Sequence, residues 1–331
     1  MMRRREFITL LGGAAGLSSF RPRKAPAQQA IRSVVGFLQP STPEAGANIA
    51  TAFRRGLSEG GYDEGRNLVI EYRWAHNDLN RLPDLAADLV SRRVSVIATL
   101  ASGDATSAAK AATTTIPIVF SLGADPVQIG LVATLNRPGG NLTGISTMSG
   151  ELGSKRLGLL HQLVPSAMRF AALINPNQPD EQSLSTDVKA AAAAIRREVN
   201  ILYAGTSREI EEAFVKLGQD RPDALFVVSG SFFTSRRVQL TTLVARHGLP
   251  AIYGDRQYVE VGGLMSYGPS ATDSFRQAGI YAARLLKGEK AAELPIMRAS
   301  KFEFVINMPT ARAFGLIIPP NLLALTDEVI E

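Results

Sequence analysis

From Ser33 to Gly140, short apolar runs alternate with longer stretches whose apolar residues recur every third or fourth position, the patterns of buried strands and amphipathic helices. "SVVGFLQ", starting at Ser33, precedes Ala45, Ile49, Phe53 and Leu57 at four-residue spacing. The helix they predict stops at Gly60-Gly61. "NLVIEYRW" predicts a second strand, and Leu79, Leu82, Leu85, Leu89 and Val90 mark the apolar face of the next helix. "VSVIATL", a helix from Asp104, "IPIVF" and a short helix from Pro126 continue the order.

After "GISTMSG" the alternation begins again. A helix at 151–164, strand "RFAALIN", an Ala-rich helix near 182–198, strand "VNILYA", a helix at 207–218, strand "DALFVVS", a helix at 233–247 and strand "LPAIY" follow in turn. Such alternation predicts α/β architecture, with parallel sheets covered by helices on both faces. "VSVIATLASGDATSAAKAATTTIPIV" and "DALFVVSGSFFTSRRVQLTTLVARHGLPAI" share one plan: an apolar strand, small polar residues, a helix, then a Pro leading into the next strand. The echo points to two copies of one α/β unit. The last sixty residues are less regular: "GGLMSYG" reads as a strand, 270–287 as a helix closed by Gly288, "FEFVIN" as a strand and 309–314 as a short helix before Gly315. These segments must return to lobes already built.

The first 27 residues break the pattern. Arg3, Arg4 and Arg5 precede an apolar stretch from Phe7 to Phe20, and Ala25-Pro26-Ala27 closes the segment, the layout of an export signal. The apolar stretch contains Gly12, Gly13 and Gly16 and is shorter than the roughly 20 residues a membrane-spanning helix needs. Arg4-Arg5-Glu6-Phe7-Ile8 resembles a twin-arginine (Tat) motif, and Arg21, Arg23 and Lys24 lie where Sec signals avoid positive charge, so Tat is favoured over Sec. Removal of this segment changes the charge balance. Its six basic residues against Glu6 account for +5 of the formal +6, leaving about +1 on residues 28–331. The basic pI is therefore no sign of a nucleic-acid partner, and no later basic cluster alternates with aromatics as such a surface requires. There is no Cys, which excludes disulfides, thiolate chemistry and a lipid-anchoring cysteine. The expected product is soluble and exported. Its length and 45% apolar content suit two domains, and without a linker between them the lobes must interweave.

"RREFITLLGGAA", "DPVQIGLVATLNRPGGNLTGIS", "LPAIYGDRQYVEVGGLMSYGPS", "RQAGIYAARLLKGEKAAELPI" and "KFEFVINMPTARAFGLIIPPNLLALTDEVIE" together resemble bacterial ABC-transporter substrate-binding proteins of the tryptophan-binding TrpX-like type. The resemblance covers nearly the whole chain. It implies a type I periplasmic binding protein fold: two Rossmann-like, doubly wound lobes joined by three crossings, near Gly144 to Thr147, Ser266 to Gly268 and Leu294 to Ala299. Lobe 1 is then 28–147 with 268–293, and lobe 2 is 148–267 with 294–331. It also implies a periplasmic receptor that takes a small molecule, an amino acid or related aromatic acid, and presents it to the membrane permease of an ABC importer, acting as a monomer without a cofactor.

Where the ligand sits follows from the architecture. Open parallel sheets bind ligands beyond the carboxyl ends of their strands, where free helix N–H groups favour anions. In lobe 1 this selects Gln39, Ser41, Thr42, Ser102, Gly103 and Asp125. Ser102 and Gly103 are placed to hold a carboxylate, or Ser102 merely caps its helix; Asp125 before Pro126 reads as a structural cap. In lobe 2 the rule selects Asn175, Asn177, Ser229, Ser231, Phe232, Tyr253 and Asp255. Asp255 suits an amino group, and Phe232 or Tyr253 could stack on an apolar ligand or belong to the core. Trp74 could face either way.

Catalytic patterns are sparse. His76, His161 and His247 are scattered without HExxH spacing or Cys partners, so no metal site is expected. Gly56-Leu57-Ser58-Glu59-Gly60 matches G-x-S-x-G but falls at the end of a helix rather than on a strand-to-helix elbow, and is read as coincidence. There is no phosphate loop, and no GxGxxG follows the first strand. The expectation is a non-enzyme. Its rivals are an exported α/β enzyme using Asp125 or Asp255 as base, and a ligand-sensing receptor subunit.

Overall fold

The computed structural model describes residues 33–148, 152–178 and 181–331; the expected export signal at 1–27 lies outside them. The first lobe begins with β1 (Ser33–Gln39), α1 (Ala47–Glu59), β2 (Leu68–Trp74), α2 (Leu82–Ser91), β3 (Val96–Leu100), α3 (Gly103–Ala112), β4 (Ile118–Leu122) and β5 (Leu142–Ser146). The second follows with α4 (Gly153–Leu163), β6 (Arg169–Ile174), α5 (Glu181–Ala194), β7 (Glu198–Tyr203), α6 (Ser207–Asp220), β8 (Ala224–Val227), α7 (Ser231–Ser235), α8 (Arg237–Arg246), β9 (Ala251–Tyr253), α9 (Arg256–Glu260) and β10 (Met265–Pro269). The tail adds α10 (Ala271–Leu286), β11 (Met297–Arg298), β12 (Phe302–Asn307), α11 (Met308–Ala313), α12 (Pro320–Leu323) and β13 (Glu328–Ile330).

These strands form two sheets, ordered β11-β5-β4-β3-β1-β2 and β13-β12-β10-β9-β8-β6-β7. Within each lobe's own strands the order is the same, second-first-third-fourth-fifth. The two echoing sequence segments, β3 to β4 and β8 to β9, occupy equivalent places in that order. Strict period-2 alternation explains why each sheet is covered on both faces. In β1, Val35 and Phe37 face α1 and α10 with Phe53, Leu57 and Tyr281, whereas Val34 and Leu38 face α2 and α3 with Leu82, Leu89 and Ala109. In β6, Phe170, Ala172 and Ile174 meet Leu160 and Val188 of α4 and α5, while Ala171 and Leu173 meet Phe214 of α6 and Val244 of α8.

Three crossings join the lobes: from β5 to α4, from β10 to α10, and from β11 to β12. Each leaves a strand at its carboxyl end, so the carboxyl edges of the two sheets are turned to each other. The last two crossings run side by side, with the Ser270 N–H donating to Lys301 O at 2.8 Å. One strand departs the second lobe where the other returns to it, and β12 therefore pairs antiparallel with β10 in an otherwise parallel sheet. The helix α10 closes on α1 through glycines. A Cβ on Gly56 would collide with Arg276 O, and one on Gly60 with Ala283 Cβ. The G-x-S-x-G pattern thus has a packing cause.

Two expected helices differ. The segment after Pro126 makes only turns, because Asp125 caps Val127 and Gly130 takes a left-handed conformation (φ 71°) that ends the winding. The expected 233–247 helix is two, α7 and α8, broken at Arg236. No helix among the described residues is long and apolar enough to cross a membrane.

Candidate functional site

In a doubly wound sheet the crevice opens where the chain order reverses, between the first and third strands. Here those points are β1/β3 and β6/β8, both at the facing carboxyl edges. The first is bridged by a side chain: Gln39, 1% exposed, donates from Nε2 to Leu100 O at 2.8 Å. Next to it the buried Ser41 Oγ has no hydrogen-bond partner among the described residues. Trp74, at the end of β2, stacks parallel to Tyr72 with ring centroids 6.1 Å apart and leans over Gly46, where a side chain would strike its ring. Thr42 Oγ1 accepts from Ala45 N–H at 3.3 Å.

Ser102 caps α3, its Oγ accepting from Ala105 N–H at 3.1 Å, and the position of a Gly103 Cβ meets nothing within 4 Å. The first turn of α3 is therefore open at this edge. Asp125 is spent locally, its Oδ1 accepting from Val127 N–H at 2.8 Å.

Across the crevice, Asn175, Asn177 and Ser229 converge at β6/β8. Asn175 Oδ1 accepts from Asn177 N–H at 3.0 Å, and Gln178 Nε2 donates to Ser229 O at 3.1 Å. Gly205 and Gly230 make room: side chains there would collide with Asn177 and press on Gln178. Ser229 Oγ and Gln178 Oε1 are buried without partners among the described residues.

Beneath them lies a residue outside the post-strand loops. Arg156, in the first turns of α4, is 1% exposed, the largest fully buried side chain in the molecule's described part. Its Nε donates to Tyr267 O at 2.6 Å, and its Nη2 has no partner among the described residues. Burial pulls its pKa down to about 10, opposed by the Asp255 charge, so it remains a cation at neutral pH.

The other expected residues are dispersed. Ser231 is exposed at the start of α7. Phe232 packs against Phe233 and lies under the Arg236 guanidinium, 4.2 Å from ring centroid to Cζ. Tyr253 is fully buried and stacked on Tyr258 at 4.4 Å in the core beneath α8, so its ring does not reach the crevice. Burial also raises its phenol pKa, and Oη has no partner. Asp255 caps α9 by accepting from Gln257 N–H at 2.9 Å, and burial raises its carboxyl pKa. Arg256 is a strut, pairing with Glu260 at 2.8 Å and Glu328 at 3.1 Å to hold β13.

Arg156 and Gln178 were not selected from sequence, and Trp74 was left free to face either way. A signal for the first existed in hindsight: β9 and β10 both run into Tyr-Gly-like ends, Tyr253-Gly254 and Tyr267-Gly268, and these glycines bed the guanidinium. Among the described residues no group of three or more His, Cys, Asp or Glu is placed to hold a metal ion.

The chain is similar to proteins of known name or structure. A tyrosine-binding protein of Clostridioides difficile (strain R20291) is 27% identical over 264 residues, covering 80% of this chain and 75% of that one. A conserved domain protein of Vibrio cholerae superposes with a TM-score of 0.82 at 26% identity, over 90% of this chain and 99% of that one. An ABC domain of Streptococcus pneumoniae in complex with L-Trp gives 0.82 at 24% identity, over 90% and 100%. The fold is that of type I periplasmic binding proteins. The family profile described as ABC transporter substrate binding protein matches residues 35–330, and with this fold the chain belongs to that family.

Proposed function

We propose that the chain is the periplasmic solute receptor of an ABC importer, capturing an aromatic amino acid or related aromatic acid between its lobes and presenting the closed form to a membrane permease. The observation that carries the reading is the pair of switch points turned to each other, lined by small polar residues with buried atoms that lack partners: Ser41 Oγ on one side, Ser229 Oγ, Gln178 Oε1 and Arg156 Nη2 on the other. Each such unmet group costs about 1–3 kcal/mol, a cost a polar ligand relieves on closure. Trp74, half-buried beside Ser41, offers an aromatic surface at the same edge. The tyrosine-binding relative and the L-Trp-bound neighbour support an aromatic side chain.

Closure is a rigid rotation of the lobes about the three short crossings. An export signal over residues 1–27 would deliver the receptor to its compartment as a monomer. The test is a thermal-shift screen against amino acids and aromatic acids. A ligand at 100 times its Kd stabilises the folded state by about 2.7 kcal/mol, which registers as a clear rise in Tm. No shift across the library would sink the reading, and chemical turnover of the ligand would favour an exported enzyme.

A further inference from the structure

The unmet groups of the second lobe are not scattered. Arg156 Nη2 lies 3.0 Å from the point where a Cβ on Gly254 would stand, and Ser229 Oγ occupies that same point closely enough to collide with it. Gly268 borders the other side, its own Cβ position 3.7 Å from Nη2. Any side chain at 254 would fill the space where a free N–H and a free hydroxyl meet. On the side away from these glycines, a cavity of about 10 Å³ between α4, α5 and β8 is lined by Arg156 and Ser229 together with Leu184, Asp187 and Val188, room for one water.

Among the described residues the guanidinium makes no ion pair, although Asp187 of α5 lines the same cavity. Asp255 is the carboxylate whose charge it feels, yet Asp255 Oδ1 holds Gln257 N–H at 2.9 Å and Oδ2 faces Gln257 Nε2 at 3.4 Å. Tyr267 O takes Nε and leaves Nη2 directed elsewhere. A buried cation of this kind is stable only where an anion or a set of acceptors completes it. By contrast, the α3 N-terminus in the first lobe offers only partial charge, and its cap is already filled by Ser102.

We infer that Arg156 Nη2 and Ser229 Oγ form an anion subsite that receives one oxygen of the ligand's carboxylate, which makes this a receptor for carboxylates rather than for neutral or purely cationic solutes. The inference rests on the receptor reading above. Both groups donate, and the arginine bond to a carboxylate is charge-assisted; an isosteric amide can offer its C=O to the same donors but brings no charge, so it binds them more weakly. The same guanidinium grips Tyr267 O, two residues before β10 ends and the chain crosses to α10, so ligand charge is felt at the strand that links the lobes.

The test is calorimetry on the full chain at pH 7 with three matched pairs: L-tyrosine and L-tyrosinamide, L-tryptophan and L-tryptophanamide, benzoate and benzamide. In every pair that binds, the acid is expected to bind ~10-fold tighter than its amide, because the amide keeps an accepting oxygen but loses the charge that strengthens the arginine bond. Arg156→Met should weaken the acid by ~10-fold or more and the amide by less, with Arg156→Lys intermediate, since a lysine keeps the charge but loses the fork. Equal affinity for acid and amide in the unmodified chain overturns the subsite and leaves the receptor reading standing. Failure of all six probes to bind overturns both. An Arg156→Met protein that keeps its acid affinity but melts lower shows a strut for Tyr267 and overturns the subsite too. Should that variant not fold, the acid-to-amide ratio of the unmodified chain decides.

Discussion

Replacing Gly279 by Ala sets two principles against each other, and the structure decides the sign. In the middle of a helix, Gly→Ala ordinarily stabilises by about 1 kcal/mol through lost unfolded-state freedom and better propensity. Gly279 lies inside α10, but its Cβ would collide with Phe53 O and stand 2.8 Å from Leu57 N and 2.9 Å from Gly56 Cα, all backbone of α1. Backbone atoms of a helix cannot step aside singly. The two helices would have to part by at least half an ångström along their contact, loosening Phe53 and Leu57, both fully buried. Overpacking of this kind costs about 1–3 kcal/mol, and a clash with backbone falls at the upper end of that range; less the gain of about 1 kcal/mol, the net expectation is a loss of about 1–2 kcal/mol, or about 2–4 °C in Tm for a chain of this size. Gly158 in α4 is the control: its Cβ would meet nothing within 4 Å, and Gly158→Ala should gain up to about 1 kcal/mol. Urea unfolding of both variants gives the two signs directly. A stabilised Gly279→Ala protein would refute the close helix contact that anchors the element following the second crossing.

Other expectations follow from buried polar groups. Tyr253→Phe removes a buried hydroxyl without a partner, so stability should hold or rise by about 1 kcal/mol; a clear fall in the urea midpoint would reveal a partner, and ligand affinity should not change. Asp255 carries a pKa raised by burial, so the folded carboxyl holds its proton more tightly than the unfolded one. Its contribution to stability is full below the ordinary carboxylate range and is lost as pH rises through the folded value. Asparagine caps a helix as well as aspartate and does not titrate, so Tm measured from pH 4 to 8 should show Asp255→Asn gaining on the parent as pH rises. A pH-independent difference would contradict the assignment.

Most of the architecture could be read from the chain because every central strand is buried on both faces. That makes apolar runs such as "VSVIATL" and "DALFVVS" conspicuous. What escaped is what partners impose. β13 is three residues long and exists because β12 and the Asp327 carboxylate, which accepts Phe304 N–H at 2.8 Å, hold it. The reversed direction of β12 comes from two crossings sharing one edge, which no local pattern encodes. The break between α7 and α8 at Arg236 has no Gly or Pro to announce it. At the site, the rule that ligands meet strand ends selected Gln39, Ser102, Asn175 and Ser229, which line the two switch points. It also selected Tyr253, whose aromatic ring turns inward to Tyr258. Arg156 was invisible to that rule: in "GSKRLG" it reads as one of two surface cations, and its burial depends on Gly254 and Gly268, about a hundred residues away.

Rotation of the lobes onto a bound guest can be watched directly, and the absence of Cys makes the labelling unambiguous. Asn48 and Arg208 are exposed in the first turns of α1 and α6, one in each lobe. Spin labels on Asn48→Cys and Arg208→Cys, measured by pulsed electron resonance with and without a saturating ligand from the thermal-shift screen, report the separation of the lobes. A shorter, narrower distance distribution with the ligand recovered unchanged is the predicted result. An identical distribution at saturation, or a ligand converted during the measurement, would contradict a receptor that works by closing.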